Sequence, residues 1–255
     1  MTDTSKTAHL IARRGLVLGL SATTFAGSAA AAGGAVLVVG GSGRTGNLVM
    51  RDLMARGLAV RGLARRIDQA RADLPDASWF AGDVRQPATL APAMAGVDTV
   101  VYAVGGTREH DPSNDAEALF NRGVVDTIGA AKTAGTRHMV LLSSAGVMRI
   151  GKADADPLHA VMVAKKAGED ALKSSGLGYT IVRTYGVWDK TDGELGVLLL
   201  QGDRGYAGRL MTARRDIAKV LAECAVNPAA SRVSFEIVNV ASPDADLWRM
   251  DLAKL

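Results

Sequence analysis

The residues with the clearest capacity for chemistry are three glycines spaced Gly-x-x-Gly-x-x-Gly, at Gly40, Gly43 and Gly46, within Gly40-Gly41-Ser42-Gly43-Arg44-Thr45-Gly46. Four apolar residues, Val36 to Val39, precede them as a short strand, and a helical pattern begins at Asn47. This arrangement holds a pyrophosphate. Gly40 lets the chain turn sharply off the strand, Gly43 removes a Cβ from a ligand's path, and Gly46 lets the helix pack closely on the sheet. The helix N-terminus then aims unpaired N–H groups at the anion, with Ser42, Arg44 and Thr45 in the same loop. The alternative is a purely structural glycine turn. A strand before the glycines and a helix after them favour the nucleotide site.

Positioning that loop requires further strands beside it. Leu58 to Arg66 reads as a second strand, and at its end an NAD-preferring protein carries an acid for the ribose hydroxyls. This chain offers Arg65 and Arg66 instead, with Arg44 in the glycine loop. Arginines pair with a 2′-phosphate that a carboxylate would repel, so the predicted cofactor is NADP(H) in preference to NAD(H). Otherwise these are solvated surface charges. Trp79 to Val84 is a third strand ending in Asp83 and Val84. Val97 to Gly106 is a fourth, ending in the small residues Ala103, Val104 and Gly105 at the crevice edge.

The alternation continues. Asp115 to Gly135 reads as a helix, His138 to Gly146 as a strand with Ser143 and Ser144 at its exit, and Pro157 to Gly176 as a helix. Leu177 to Gly186 is the sixth strand. Leu195 to Gln201 reads as a short strand or helix, Arg215 to Val226 as a helix and Ser234 to Val240 as a last strand. The remaining tail, with Trp248 and Met250, reads as a packing arm. The predicted fold class is α/β: a Rossmann-type, doubly wound, mostly parallel sheet with helices on both faces and small C-terminal elements on the substrate side.

The loop resembles that of atypical short-chain dehydrogenase/reductases, above all the NAD(P)H-binding, NmrA-like group, where it typically reads Gly-Ala-Thr-Gly-Arg-x-Gly. The likeness runs from about Ala35 to Val240 and includes Asp83, Ser143-Ser144, Lys165 and Thr180-Ile-Val-Arg183. It implies that Asp83 sits at the adenine edge and that Ser143 or Ser144 hydrogen-bonds a reacting carbonyl; serines beginning a turn are the plainer reading. The superfamily's Tyr-x-x-x-Lys motif implies a lysine on the nicotinamide ribose. Lys165 fits, but Val161 then stands at the tyrosine position; aligning on Lys166 puts Met162 there. The usual proton donor is missing. Tyr185, where the group commonly reads Arg-Pro-Gly, is a candidate substitute donor or a substrate-stacking residue, with plain packing as the alternative.

Two functions follow as expectations. The first is an NADPH-dependent oxidoreductase passing hydride to a small carbonyl or a quinone, whose reduced oxygens need no strong side-chain acid. The second is a non-catalytic NADP-binding redox sensor or assembly factor. Epimerisation of a sugar nucleotide normally needs the absent tyrosine.

Composition narrows partners. Of 255 residues, 48% are hydrophobic, enough for a substantial core. The lone Cys224 excludes an internal disulfide, and four scattered histidines give no metal-ligand spacing. The first 32 residues differ from the rest: Arg13-Arg14, a weakly apolar run from Gly15, then small residues Ser28 to Ala32. This is the layout of a cleavable twin-arginine export signal, which predicts a periplasmic domain over 33–255 and no stable membrane insertion. An uncleaved anchor or a simple cytoplasmic tail are the alternatives. That segment carries +2 of the chain's net +4, leaving too little positive charge to argue for nucleic acid. A small-molecule substrate is the expected partner.

Overall fold

The computed structural model describes residues 34–105, 115–148, 158–189, 195–202, 210–241, 246, 248–252 and 254. The export-type segment 1–32 lies outside them, as do 106–114, 149–157, 190–194 and 203–209.

The alternation of one strand shows how the layers form. All five residues of β1 (Ala35–Val39) are buried. Val36 and Val38 join one apolar cluster with α1 (Arg44–Ala55) and α6 (Arg214–Val226). Leu37 and Val39 join the other, with α4 (Gly123–Thr133) and α5 (His159–Ser174). A strand covered on both faces reads as a continuous apolar run, which is why Val36 to Val39 contains no polar residue. Each fully buried aliphatic side chain in such a layer contributes on the order of 1.5–3 kcal/mol.

Around β1 stand β2 (Val60–Ala64), β3 (Ser78–Ala81), β4 (Val97–Tyr102), β5 (His138–Ser144) and β6 (Gly178–Thr184). With β8 (Leu195–Gln201) and β10 (Val233–Ala241) they make one eight-stranded sheet, ordered β3-β2-β1-β4-β5-β6-β10-β8. Every pairing is parallel except β10 with the edge strand β8. The chain order reverses between β1 and β4, and that switch point opens a crevice at the strands' C-terminal ends.

Leu195 to Gln201 is thus a strand. On either side of it β7 (Gly186–Trp188) and β9 (Met211–Ala213) form a separate parallel pair. The expected helix from Asp115 contains a π-helical turn, Ala118–Arg122, just before α4. Short helices α2 (Ile67–Asp73) and α3 (Ala91–Met94) fill connections. The tail forms α7 (Trp248–Leu252), whose Trp248 and Leu252 are fully buried. Among the described residues, no helix is long and apolar enough to cross a membrane.

One buried ion pair crosses the layers. Arg183 on β6 donates to Glu169 of α5 through Nε (3.0 Å) and a terminal nitrogen (2.6 Å), and both residues are under 5% exposed. Removing Arg183 leaves the buried Glu169 carboxylate with only the longer contact to Lys173, at 3.8 Å, among the ion pairs seen here. Arg183→Met should therefore lower unfolding free energy by about 3–5 kcal/mol, whereas Arg183→Met with Glu169→Leu should recover most of that loss. Urea denaturation measures both; a loss below about 1 kcal/mol in the single variant would contradict the assignment.

Candidate functional site

The glycine loop is built by close approach. Gly40 turns off β1 at φ +84°, where a Cβ would stand 2.9 Å from the Ala103 carbonyl oxygen. At Gly46 a Cβ would lie 2.2 Å from the Gly40 oxygen, so α1 starts directly against the end of β1. Gly43 caps the helix with no side-chain partner, and the first turn holds no acid. The turn's N–H groups stay open to an anion.

Beside the loop lies a cleft of about 200 Å³ over the ends of β1, β2, β3 and β4. Gly40, Ser42 and Gly43 form one wall, Arg65 and Arg66 another. Asp83 and Val84, with Ala103, Val104 and Gly105, close the remainder. Among the described residues, an added Cβ at Gly105 would meet nothing within 4 Å. Its shape, a glycine floor with two exposed guanidinia at one end, suits a nucleotide and its phosphates.

The charges in the cleft are arranged in detail. Asp83 accepts from Arg85 Nε (3.0 Å), from a terminal guanidinium nitrogen (2.6 Å) and from the Arg85 backbone N–H (3.0 Å). Burial pushes the Asp83 pKa up, but the Arg85 hydrogen bonds and charge, with Arg65 adding to them, hold it below the ordinary value. Asp83 is therefore a fixed anion at the end of β3. Among the described residues neither Arg65 nor Arg66 makes a side-chain hydrogen bond or ion pair, although the Arg65 charge acts on Asp83. Arg44 is placed differently from these two: its guanidinium donates to Asp189 (2.7 Å), just past β7, and it is not part of the cleft wall.

The remaining expected residues lie over β5, β6 and α5, away from the cleft wall. Ser143 is 2% exposed and its Oγ has no partner among the described residues, while Ser144, on the opposite face of β5, is half-buried. Lys165 is the inward lysine of the pair: its ammonium lies over the Phe120 ring, 4.5 Å from the centroid. Burial lowers its pKa to about 8, partly opposed by the nearby Glu169 charge. Lys166 instead pairs with Asp170 (2.6 Å) on the outer face of α5. The Tyr185 hydroxyl donates to Glu236 (2.6 Å), a wholly buried carboxylate on β10. Glu236 is the register neighbour of Arg183, which is in turn the neighbour of Ser143, so one row of the sheet carries polar groups beneath this half of the crevice.

Glu169, Glu236, Asp189 and Arg214 had no place in the sequence reading. Glu236 left a trace, an acid inside the apolar run Phe235 to Val238. Asp189 and Arg214 left none, because their partners lie 145 and 169 residues away.

Comparison with known proteins gives the family. A family model described as NAD(P)H-binding matches residues 40–228. An uncharacterised chloroplast protein of Arabidopsis thaliana is 33% identical over 72% of this chain and 63% of its own length, so the chain spans less than two thirds of that relative. Sanguinarine reductase of Eschscholzia californica is 28% identical over 66% of this chain and 75% of the enzyme. Among solved structures, a putative NAD-dependent epimerase/dehydratase from Bacillus halodurans superposes with a TM-score of 0.74 at 24% identity, over 87% of this chain and 98% of that one. The chain thus belongs to the NAD(P)H-binding family, the atypical short-chain dehydrogenase/reductase group that its glycine loop resembles.

Proposed function

We propose that this protein is an NADPH-dependent oxidoreductase that passes hydride to a small carbonyl or quinone acceptor. The observation that carries the reading is the cleft itself: a glycine floor, no acid at the end of β2, and two exposed guanidinia, Arg65 and Arg66. They would hold a 2′-phosphate, while Gly40, Gly43 and the first turn of α1 would hold the pyrophosphate. Asp83 would accept from the adenine. When bound, the nicotinamide supplies the hydride; the residues around it bind, orient and manage protons. Lys165 would hold the ribose. Ser144 stands half-buried at the end of β5 as a hydroxyl for the acceptor oxygen, and Tyr185 offers a second proton site backed by Glu236. Sanguinarine reductase, to which this chain is similar, is by its name a reductase, which supports a reductive role.

One observation favours the second reading, a non-catalytic NADP-binding sensor or assembly factor. Val161 replaces the expected tyrosine, and the Tyr185 proton is directed at Glu236. A simple quinone separates the two readings, because its reduced oxygens can take protons from water.

We expect Arg65→Gln with Arg66→Gln to weaken NADPH at least tenfold and leave NADH nearly unchanged in a fluorescence titration. Equal losses would remove the 2′-phosphate assignment. In the same assay, NADPH reoxidation by a quinone is expected; tight binding without turnover across several acceptors would favour the sensor.

The proton on Lys165 favours binding to the ribose hydroxyls and anionic cofactor, so affinity should be full below pH 8 and fall as pH rises past about 8. Lys165→Met should flatten that dependence, and an unchanged profile in the variant would exclude the role. The proposal includes export in the folded state through the twin-arginine route, supported by Arg13-Arg14 and the small residues to Ala32. Replacing both arginines with lysine should retain the protein in the cytoplasm on cell fractionation; unaltered distribution would refute that route.

A further inference from the structure

Two guanidinia converge on one carboxylate beside the start of α1. Arg44 donates to Asp189 Oδ2 at 2.7 Å, and Arg214 Nε donates to Asp189 Oδ1 at 2.5 Å. Arg214 also donates to Thr45 Oγ1 at 2.9 Å, which ties its guanidinium to the first turn of α1. Arg214 is itself the first residue of α6, and α1 and α6 pack together in one apolar cluster, so the backbones behind Arg44 and Arg214 are held by the core. The Arg214 side chain is 14% exposed, whereas that of Asp189 is 57% exposed. Arg214 is built in, while Arg44, 58% exposed, and Asp189 sit at the surface.

The location gives this cluster a consequence. The cleft ends at Gly43, and α1 begins at the next residue. A dinucleotide running from Arg65 and Asp83 toward Lys165 and Ser144 must cross the N-terminus of α1 beside Arg44 and Arg214. There its bridging phosphates would meet two guanidinia, a helix N-terminus without an acid in its first turn, and one resident carboxylate. A surface carboxylate–arginine pair is weak, while a doubly charged pyrophosphate accepts bidentate bonds from both arginines.

We infer that Asp189 is a resident counter-ion for the pyrophosphate seat, holding Arg44 and Arg214 in place until the ligand's phosphates displace it, and that Arg214 is a pyrophosphate-binding residue. The inference rests on the family's nucleotide binding and needs no hydride transfer, so a protein that binds but does not reduce still tests it.

The test is calorimetric titration of the full chain with ADP-ribose, which carries the pyrophosphate without nicotinamide or 2′-phosphate, and with AMP, which lacks the second phosphate. Asp189→Asn should tighten ADP-ribose binding about fivefold and leave AMP nearly unchanged. Arg214→Gln should weaken ADP-ribose about tenfold, and in the double variant most of the gain from Asn at 189 should disappear. Melting temperatures near the parent's would show that both variants fold. An Asp189→Asn variant that binds ADP-ribose no better than the parent, or that improves AMP equally, would overturn the counter-ion role. An unaffected Arg214→Gln would overturn the arginine's. Turnover is not read, so absence of reductase activity would count against the proposed function alone.

Discussion

The architecture turns on the contact between Gly46 and the carbonyl of Gly40, where a single Cβ would lie 2.2 Å from the oxygen. Because nothing intervenes, α1 starts at the rim of the sheet and not a turn away from it. Its N-terminal N–H groups then face the same crevice as the ends of β2, β3 and β4. The two apolar clusters on either side of β1 hold this geometry, since α1 is anchored by Val49, Met50 and Leu53 in one of them. A binding surface for an anion is thus a consequence of how tightly one helix can approach one strand.

The two halves of the crevice are built by different physics. On the β1–β3 side, exposed cations and a fixed Asp83 anion stand around a glycine floor, an arrangement of charge recognition. On the β5–β6 side, the polar groups sink into the core. Arg183 and Glu169 form a buried bidentate pair, and Tyr185 reaches a fully buried Glu236. Buried charges of this kind persist only when paired and hydrogen-bonded. They fix the strands under Ser143 and Ser144 while the tyrosine usual to the superfamily is replaced by Val161.

Periodicity made the fold legible. Val36 to Val39 is apolar throughout because both faces of β1 are covered, and the strand-and-helix alternation after it could be followed to Val240. The glycine spacing and the arginines after β2 marked the cleft because their physical reasons are local: a tight turn, a close approach, an absent acid. Residues whose meaning depends on distant partners were not legible. Nothing near Arg44 in the chain announces Asp189, 145 positions away, so Arg44 read as a companion of Arg65 and Arg66. The π-helical turn before α4 and the β7–β9 pair were missed because short irregular elements are set by tertiary packing, which overrides weak local propensity.

On the proposed reading, this crevice receives a phosphorylated nicotinamide dinucleotide, with its phosphates on the glycine loop and just past β2. The most direct measurement is the structure of the full chain determined with NADPH bound. The account predicts the 2′-phosphate against Arg65 and Arg66 and the pyrophosphate over Gly43 at the start of α1. A nucleotide lying elsewhere, or a 2′-phosphate turned to solvent, would contradict it.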